Sequence, residues 1–360
     1  MSSTAGAPPA SGATSPPSPA GSAQDPTGKR LPMTVPQLAE RKRAGQPLVM
    51  VTCYDYPGAR VVEEAGVDLV LVGDTAAMTV LGYDSTVPVT VDELLVLVKA
   101  VRRGLTSPLL VGDLPFGSYE VSDEQAVMTA QRFVKEGGCD AVKLEGGGVM
   151  IDRARAIAQT GIPVVGHVGL TPQTATALGG FRAQARTAQR AERVIEDALA
   201  LQEAGCCAIV FEAIPAPVAA VAMERLDVPV IGIGAGSATD GQVLVWHDLL
   251  GLFEWGSPRF VKRYAELRPQ ILGALQSYAS EVRSRAFPST EYTYSIDPDE
   301  LQELRARLGD AQAAASAAPQ APAGGGDEAA PEGSAAAYGG DAPVGEAPRG
   351  AVEGWQDRPA

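Results

Sequence analysis

Histidine occurs only twice in this 360-residue chain, at His167 and His247, and cysteine only four times. Cys53, Cys139, Cys206 and Cys207 contain no CxxC pair, so the composition argues against a zinc site. No apolar run approaches the length of a bilayer span. The first residues have neither the basic start nor the apolar centre of a secretion signal. The expectation is a cytoplasmic protein with free thiols and no membrane partner. A basic stripe with interleaved aromatics is also missing, which argues against nucleic acid as a partner. The formal charge of −14 is partly a property of one end: from Asp310 onward there are eight acidic and two basic residues. The middle of the chain is only mildly acidic.

Large apolar residues are scarce at both ends. Residues 1–30 are mostly Ala, Ser, Pro and Gly, and residues 310–360 are similar with acids added. Neither segment can bury enough apolar surface to offset chain entropy, so both are expected to be disordered tails. Residues 31–297 have the size of a single (β/α)8 TIM-type barrel domain. In 298–309, LQELRARL has the spacing of a short helix.

Within 31–297, short apolar runs alternate with helical patterns, which predicts a parallel sheet. Thr34–Ala44 reads as a first helix, either a lid over one end of a barrel or a surface helix. Strands are expected at Leu48–Thr52, Leu69–Val72, Pro108–Gly112, Asp140–Leu144, Ile162–Val165, Ala208–Phe211 and Val228–Ile231, with Leu249–Phe253 as the weakest, eighth unit. Ser122 with Gln125 reads as a capping box. Thr174–Arg190 is a long, poorly periodic connection of the kind that often carries function. Eight similar units favour a closed barrel over an open sheet. Gly232–Gly236, GIGAG, lacks the third glycine and the acidic partner of a dinucleotide fingerprint.

The predicted strands end in ionisable residues. Strand two runs into Gly73-Asp74-Thr75, with Gly73 read as the residue that lets the backbone turn away. Strand three ends at Asp113, strand four at Lys143 and Glu145, strand five at His167 and strand six at Glu212. Any one of these reads equally as a cap or a loop ion pair. Five successive strands ending so reads as a site, because a barrel gathers these ends on one face. Asp74, Asp113 and Glu145 would repel one another unless a cation sat among them. An all-oxygen set suits Mg²⁺ or a similar hard cation. Lys143 shares a strand face with Glu145 and either meets a substrate carboxylate or neutralises Glu145. His167 either orients a substrate or is packed without such a role.

LVGDTAAMTVLGYDSTVPVT, DLPF at 113–116, KLEGG at 143–147, GHVGLTPQ at 166–173, FEAIP at 211–215 and IGIGAGSATDGQVLVWHD at 231–248 follow in order. On these motifs the chain resembles the ketopantoate hydroxymethyltransferase family from about Met33 to Tyr292. The resemblance implies a (β/α) barrel that uses Mg²⁺ and 5,10-methylenetetrahydrofolate to hydroxymethylate 3-methyl-2-oxobutanoate, in pantothenate and coenzyme A biosynthesis. It places Asp74, Asp113 and Glu145 at the metal, and Asp74, Thr75, Asp113 and Lys143 at the oxo acid. Glu212 falls at the position of the proton acceptor. The resemblance also implies a large homo-oligomer, commonly a homodecamer. Thr75 departs from the serine common in the family but keeps the hydroxyl. Lyases of the isocitrate type share this general design but rely on a KKCGH-type cysteine motif, which is absent here. A barrel that only binds ligand would be expected to have lost one of the strand-end residues, and all are present.

Overall fold

The structure is a computed structural model and describes residues 30–253 and 258–309. The expected tails, 1–30 and 310–360, lie outside the described residues except for Arg30. The chain divides into two compact units, with the break between Arg268 and Pro269.

The first unit is a (β/α)8 barrel. In chain order it contains α1 (Val35–Arg43), β1 (Leu48–Thr52), α2 (Tyr56–Ala65), β2 (Leu69–Val72), α3 (Ala76–Thr79) and α4 (Val91–Gly104). Next come β3 (Leu109–Asp113), α5 (Asp123–Lys135), β4 (Ala141–Lys143), α6 (Met150–Gln159) and β5 (Val164–Gly169). Then follow α7 (Ala175–Leu178), α8 (Ala188–Glu203), β6 (Ala208–Glu212), α9 (Ala216–Met223), β7 (Val230–Ile233), β8 (Gly241–Leu244) and α10 (Trp246–Leu249). All eight strands pair in parallel, and β8 pairs back to β1 to close the ring. The second unit comprises α11 (Leu267–Ser284), which starts at the boundary, and α12 (Pro298–Arg307). Its aromatic contacts run from Tyr278 to Phe287 to Tyr292. No helix among the described residues is long and apolar enough to cross a membrane.

Two buried apolar layers follow from the two-residue period of a strand. Alternate residues such as Leu69, Leu71, Leu109, Val111, Val165 and Val210 fill the barrel. Their neighbours, such as Val70, Val72, Leu110, Val142 and Ile209, pack outward among residues of the helical ring. Helix α1 does act as a lid: Leu38 is buried with Leu48, Met50, Leu69 and Leu109, which closes the N-terminal mouth.

The eighth strand differs from expectation. It is Gly241–Leu244, and the Leu249–Phe253 segment instead leaves α10 in a turn. A four-residue strand with exposed Gln242 and a leading glycine carries too little apolar patterning to stand out. Strand β5 also runs further than expected, through His167 to Gly169. The capping box of α5 is half made. Ser122 accepts from Gln125 N at 3.1 Å, but the Gln125 carboxamide oxygen accepts from Val121 N. Gly73 does not adopt a positive φ, and a Cβ there would make only ordinary contacts, so the bend does not require glycine. The segment expected as a long loop holds α7 and the start of α8. Gln184 N donates to Ala213 O at 2.9 Å, which ties its middle to the end of β6.

Candidate active site

The inward faces of β3, β4, β5 and β6 change from apolar to ionisable at their C-terminal ends. Val111 is followed two residues on by Asp113, Ala141 by Lys143 and Glu145, Val165 by His167, and Val210 by Glu212. The same period that builds the core therefore aims these side chains at one mouth. Asp74 joins them from the turn after β2, where its backbone N–H donates to Asp113 Oδ2 at 3.0 Å. Gly169 makes room for the last member. Its φ is +102°, and a Cβ there would stand 2.2 Å from Glu212 O, so only glycine lets β5 and β6 end side by side.

All six expected residues with ionisable side chains meet in one connected cluster. Lys143 Nζ lies 2.8 Å from Asp113 Oδ1 and 3.4 Å from Glu145 Oε1. His167 Nδ1 is 3.2 Å from Glu145 Oε1, and His167 Nε2 is 3.3 Å from Glu212 Oε2. His167 thus links the carboxylates of β4 and β6. Asp74, Asp113, Lys143, Glu145 and His167 are buried, whereas Glu212 keeps 15 % of its side chain exposed. These residues, with Thr75 at the start of α3, line a cavity of about 370 Å³ at the C-terminal mouth.

The electrostatics are unbalanced. Burial and the charges of Asp113 and Glu145 push the Asp74 carboxyl well above its usual range, against the pull of Lys143. Burial likewise raises Asp113, although Lys143 opposes it. Burial acts upward on Glu145 too, but Lys143 and His167 outweigh it and hold it below the ordinary value. Burial and Lys143 act downward on His167, and its two glutamate partners carry it up to about 9. Burial also opposes the charge of Lys143, and the three carboxylates outweigh it, so the ammonium persists.

This donor set fits a hard cation in a specific way. Among the described residues no three His, Cys, Asp or Glu side chains converge as a ready-made cage. Mg²⁺ does not need one, because it commonly takes one or two carboxylates and completes its shell with water or substrate. Asp113 Oδ1 is buried and makes no aligned hydrogen bond despite its closeness to Lys143. A cation beside Asp74 and Asp113 would also offset the burial and the carboxylate charges that raise both. Both oxygens of Glu145 are already engaged, Oε1 by Lys143 and His167 and Oε2 by Gln173 N at 3.1 Å.

Sequence reasoning missed two members. Gln173 Nε2 donates to Asp74 Oδ2 at 3.0 Å and to Leu114 O at 2.9 Å, while its carbonyl oxygen accepts from Tyr119 O–H at 2.5 Å. One buried carboxamide therefore holds the ends of β2 and β3 together, and the backbone N–H of the same residue ties in Glu145 after β4. Its signal was its place at the end of GHVGLTPQ, a motif whose other members had drawn attention. Tyr119 lies in an aperiodic loop and had no signal.

A closed (β/α)8 barrel with ionisable groups massed at the C-terminal strand ends has the architecture of a barrel enzyme. The sequence matches the model of the family described as ketopantoate hydroxymethyltransferase over residues 32–290, and the chain belongs to that family of transferases. It is 52% identical over 266 residues to the 3-methyl-2-oxobutanoate hydroxymethyltransferase of Moorella thermoacetica, covering 74% of this chain and 99% of that one. To the protein of that name from Heliobacterium modesticaldum it is 50% identical over 272 residues, covering 76% and 98%. To 3-methyl-2-oxobutanoate hydroxymethyltransferase 1, mitochondrial, of Arabidopsis thaliana it is 50% identical over 297 residues, covering 79% and 85%. Among solved structures, phosphoenolpyruvate phosphomutase from Streptomyces platensis subsp. rosaceus gives a TM-score of 0.47 at 17% identity, over 75% of this chain and 99% of that one.

Proposed function

We propose that the protein transfers a hydroxymethyl group from 5,10-methylenetetrahydrofolate to 3-methyl-2-oxobutanoate, giving 2-dehydropantoate, with Mg²⁺ as cofactor. The observation that carries this reading is the split between a buried, cation-seeking end of the cluster and a glutamate at its open edge. Asp74 and Asp113, with Glu145 behind them, would hold Mg²⁺. When bound, the ion supplies Lewis acidity at the oxygens of the oxo acid. The Lys143 ammonium, fixed between Asp113 and Glu145, attracts the substrate carboxylate. Thr75 offers a hydroxyl from the start of α3.

Glu212 is the general base. It reaches the cavity with part of its side chain exposed, and its carboxylate lies 3.3 Å from His167 Nε2. It removes the hydrogen from the branched carbon next to the carbonyl. That carbon then bonds to the methylene carbon of the folate. Both carbon–nitrogen bonds to the methylene group break, water supplies the hydroxyl oxygen, and the protons end on the two folate nitrogens and the new hydroxyl.

The test is an assay with 3-methyl-2-oxobutanoate, 5,10-methylenetetrahydrofolate and Mg²⁺, with and without chelator. Product formation that chelation abolishes and Mg²⁺ restores is the expected result. Full turnover in a metal-free sample would remove the cation from this reading. Glu212→Gln separates base from ligand. It should bind Mg²⁺ and oxo acid nearly as the parent does. It should lose about 10²–10⁴-fold in turnover and in folate-independent exchange of the substrate hydrogen with deuterated water. Exchange at the parental rate would move the base elsewhere, with His167 next to test.

A further inference from the structure

The WHD end of the last motif takes no part in the cluster described above. The cavity it borders is also larger than that cluster needs. A volume of about 370 Å³ lies in the range of pockets that enclose a sizeable organic ligand, and a small branched oxo acid fills a minor share of it.

The remaining wall differs in kind. Ile233 at the end of β7, Val245 after β8, Phe253 and Phe260 supply apolar surface, and Asp248 of α10 stands among them as the acid. In a closed ring of eight, β8 lies opposite β4. Asp248 and the Lys143–Glu145 pair therefore stand on opposite sides of one mouth. The α10 end is anchored, because Trp246 N donates to Thr52 Oγ1 at 2.9 Å across to β1. It is also backed by a row of tilted rings: Phe253 lies 5.6 Å from His247, and His247 lies 5.5 Å from Tyr54, centroid to centroid. Burial raises the Asp248 carboxyl above its usual range, against the Arg263 charge, so it is a group that gains from paired donors.

We propose that this half of the cavity seats the bicyclic ring of the one-carbon donor, with Asp248 as the carboxylate that reads the ring's amino-oxo edge. The inference rests on the reading above that the donor is a tetrahydrofolate. The ring is flat with apolar faces, which suits an aromatic and aliphatic wall. One edge presents an N–H and an amino group side by side, and a carboxylate accepts both in parallel. With the ring on the β8 side and the oxo acid on the β2–β6 side, the carried carbon lies between them.

The experiment compares the parent with Asp248→Asn and Phe253→Leu, each with Mg²⁺. Three quantities are read: KM for each substrate, the Kd of tetrahydrofolate by calorimetry on oxo-acid-loaded protein, and folate-free deuterium exchange. Asp248→Asn should raise the donor KM and the tetrahydrofolate Kd about 10–100-fold, the effect of removing charged hydrogen bonds. Phe253→Leu should raise both by a smaller factor. The oxo-acid KM and the exchange rate should stay close to the parent's. Unchanged donor KM and tetrahydrofolate Kd in Asp248→Asn would overturn the assignment. So would loss of exchange together with donor binding, since that makes Asp248 a structural residue. A parent that exchanges deuterium but neither binds tetrahydrofolate nor consumes the donor would instead refute the donor itself, and this inference with it.

Discussion

The two ends of the barrel are built from the same residue types and use them oppositely. At the N-terminal mouth the buried Asp68 and the partly buried Asp240 each have matching partners. Asp68 accepts from Arg30, Arg41 and Val49 N, and Asp240 accepts from Lys42 and Val230 N, both at 2.8 Å. Leu38 of α1 fills the space between the strands. At the C-terminal mouth Asp74, Asp113 and Glu145 share Lys143, with His167 shared between Glu145 and Glu212, and a cavity takes the place of a plug. Charges that are matched and capped serve stability. Charges left in excess around a cavity are a poor way to stabilise a fold and a good way to bind a ligand of opposite character.

If this contrast is right, mutations at the two ends should separate activity from stability. Among variants that compare the two ends, the largest effect is expected for Asp113→Asn, which removes one of the crowded carboxylates. Turnover should fall about 10²–10³-fold, the usual scale for losing a preorganised electrostatic group. The Tm should hold or rise, because a buried carboxyl whose folded pKa is raised opposes folding when ionised. A variant that instead melts early, with normal turnover while folded, would break the contrast.

Leu38→Ala tests the other end. A buried leucine truncated to alanine costs about 2–5 kcal/mol, so chemical denaturation should show a loss of that size. Turnover per folded molecule should match the parent, since the lid lies at the mouth away from the cavity. A loss of kcat under conditions where the variant is fully folded would show that the two ends are coupled.

Asp240→Asn should be milder, about 1–3 kcal/mol, because one partly buried acceptor is weakened and Lys42 loses its partner. Denaturation midpoints would measure it, and a change in KM for either substrate would count against a purely structural bottom. The smallest effect concerns the thiols. Burial raises Cys53 and Cys207 to about 11 and Cys139 and Cys206 to about 12. Cys53, Cys139 and Cys206 are buried, so at neutral pH these three should react with a thiol reagent only at the rate of unfolding, since thiolate is the reactive form. Rapid native-state labelling of any of the three would mean that its segment opens.

Much of this was written locally. The barrel class follows from apolar runs alternating with helical patterns, and the strand-end acids follow from where each run stops. Asp113, Lys143, Glu145, His167 and Glu212 could be named because a two-residue period assigns each strand residue a side without reference to any other strand. The family, too, was legible in six ordered motifs. What the sequence could not determine is everything that depends on one strand's position against another's. Lys143 meets Asp113 because β3 and β4 pair in a register that sets those residues side by side. His167 joins Glu145 to Glu212 because β5 lies between β4 and β6. Gln173 reaches Asp74 across 99 positions of chain, from a loop with no period to read. The eighth strand shows the same limit: Gly241–Leu244 becomes a strand because β7 and β1 leave an edge on each side for it to close. Propensity and periodicity act over a few residues, whereas register, ring closure and the sharing of one cation among three carboxylates exist only once the barrel has folded.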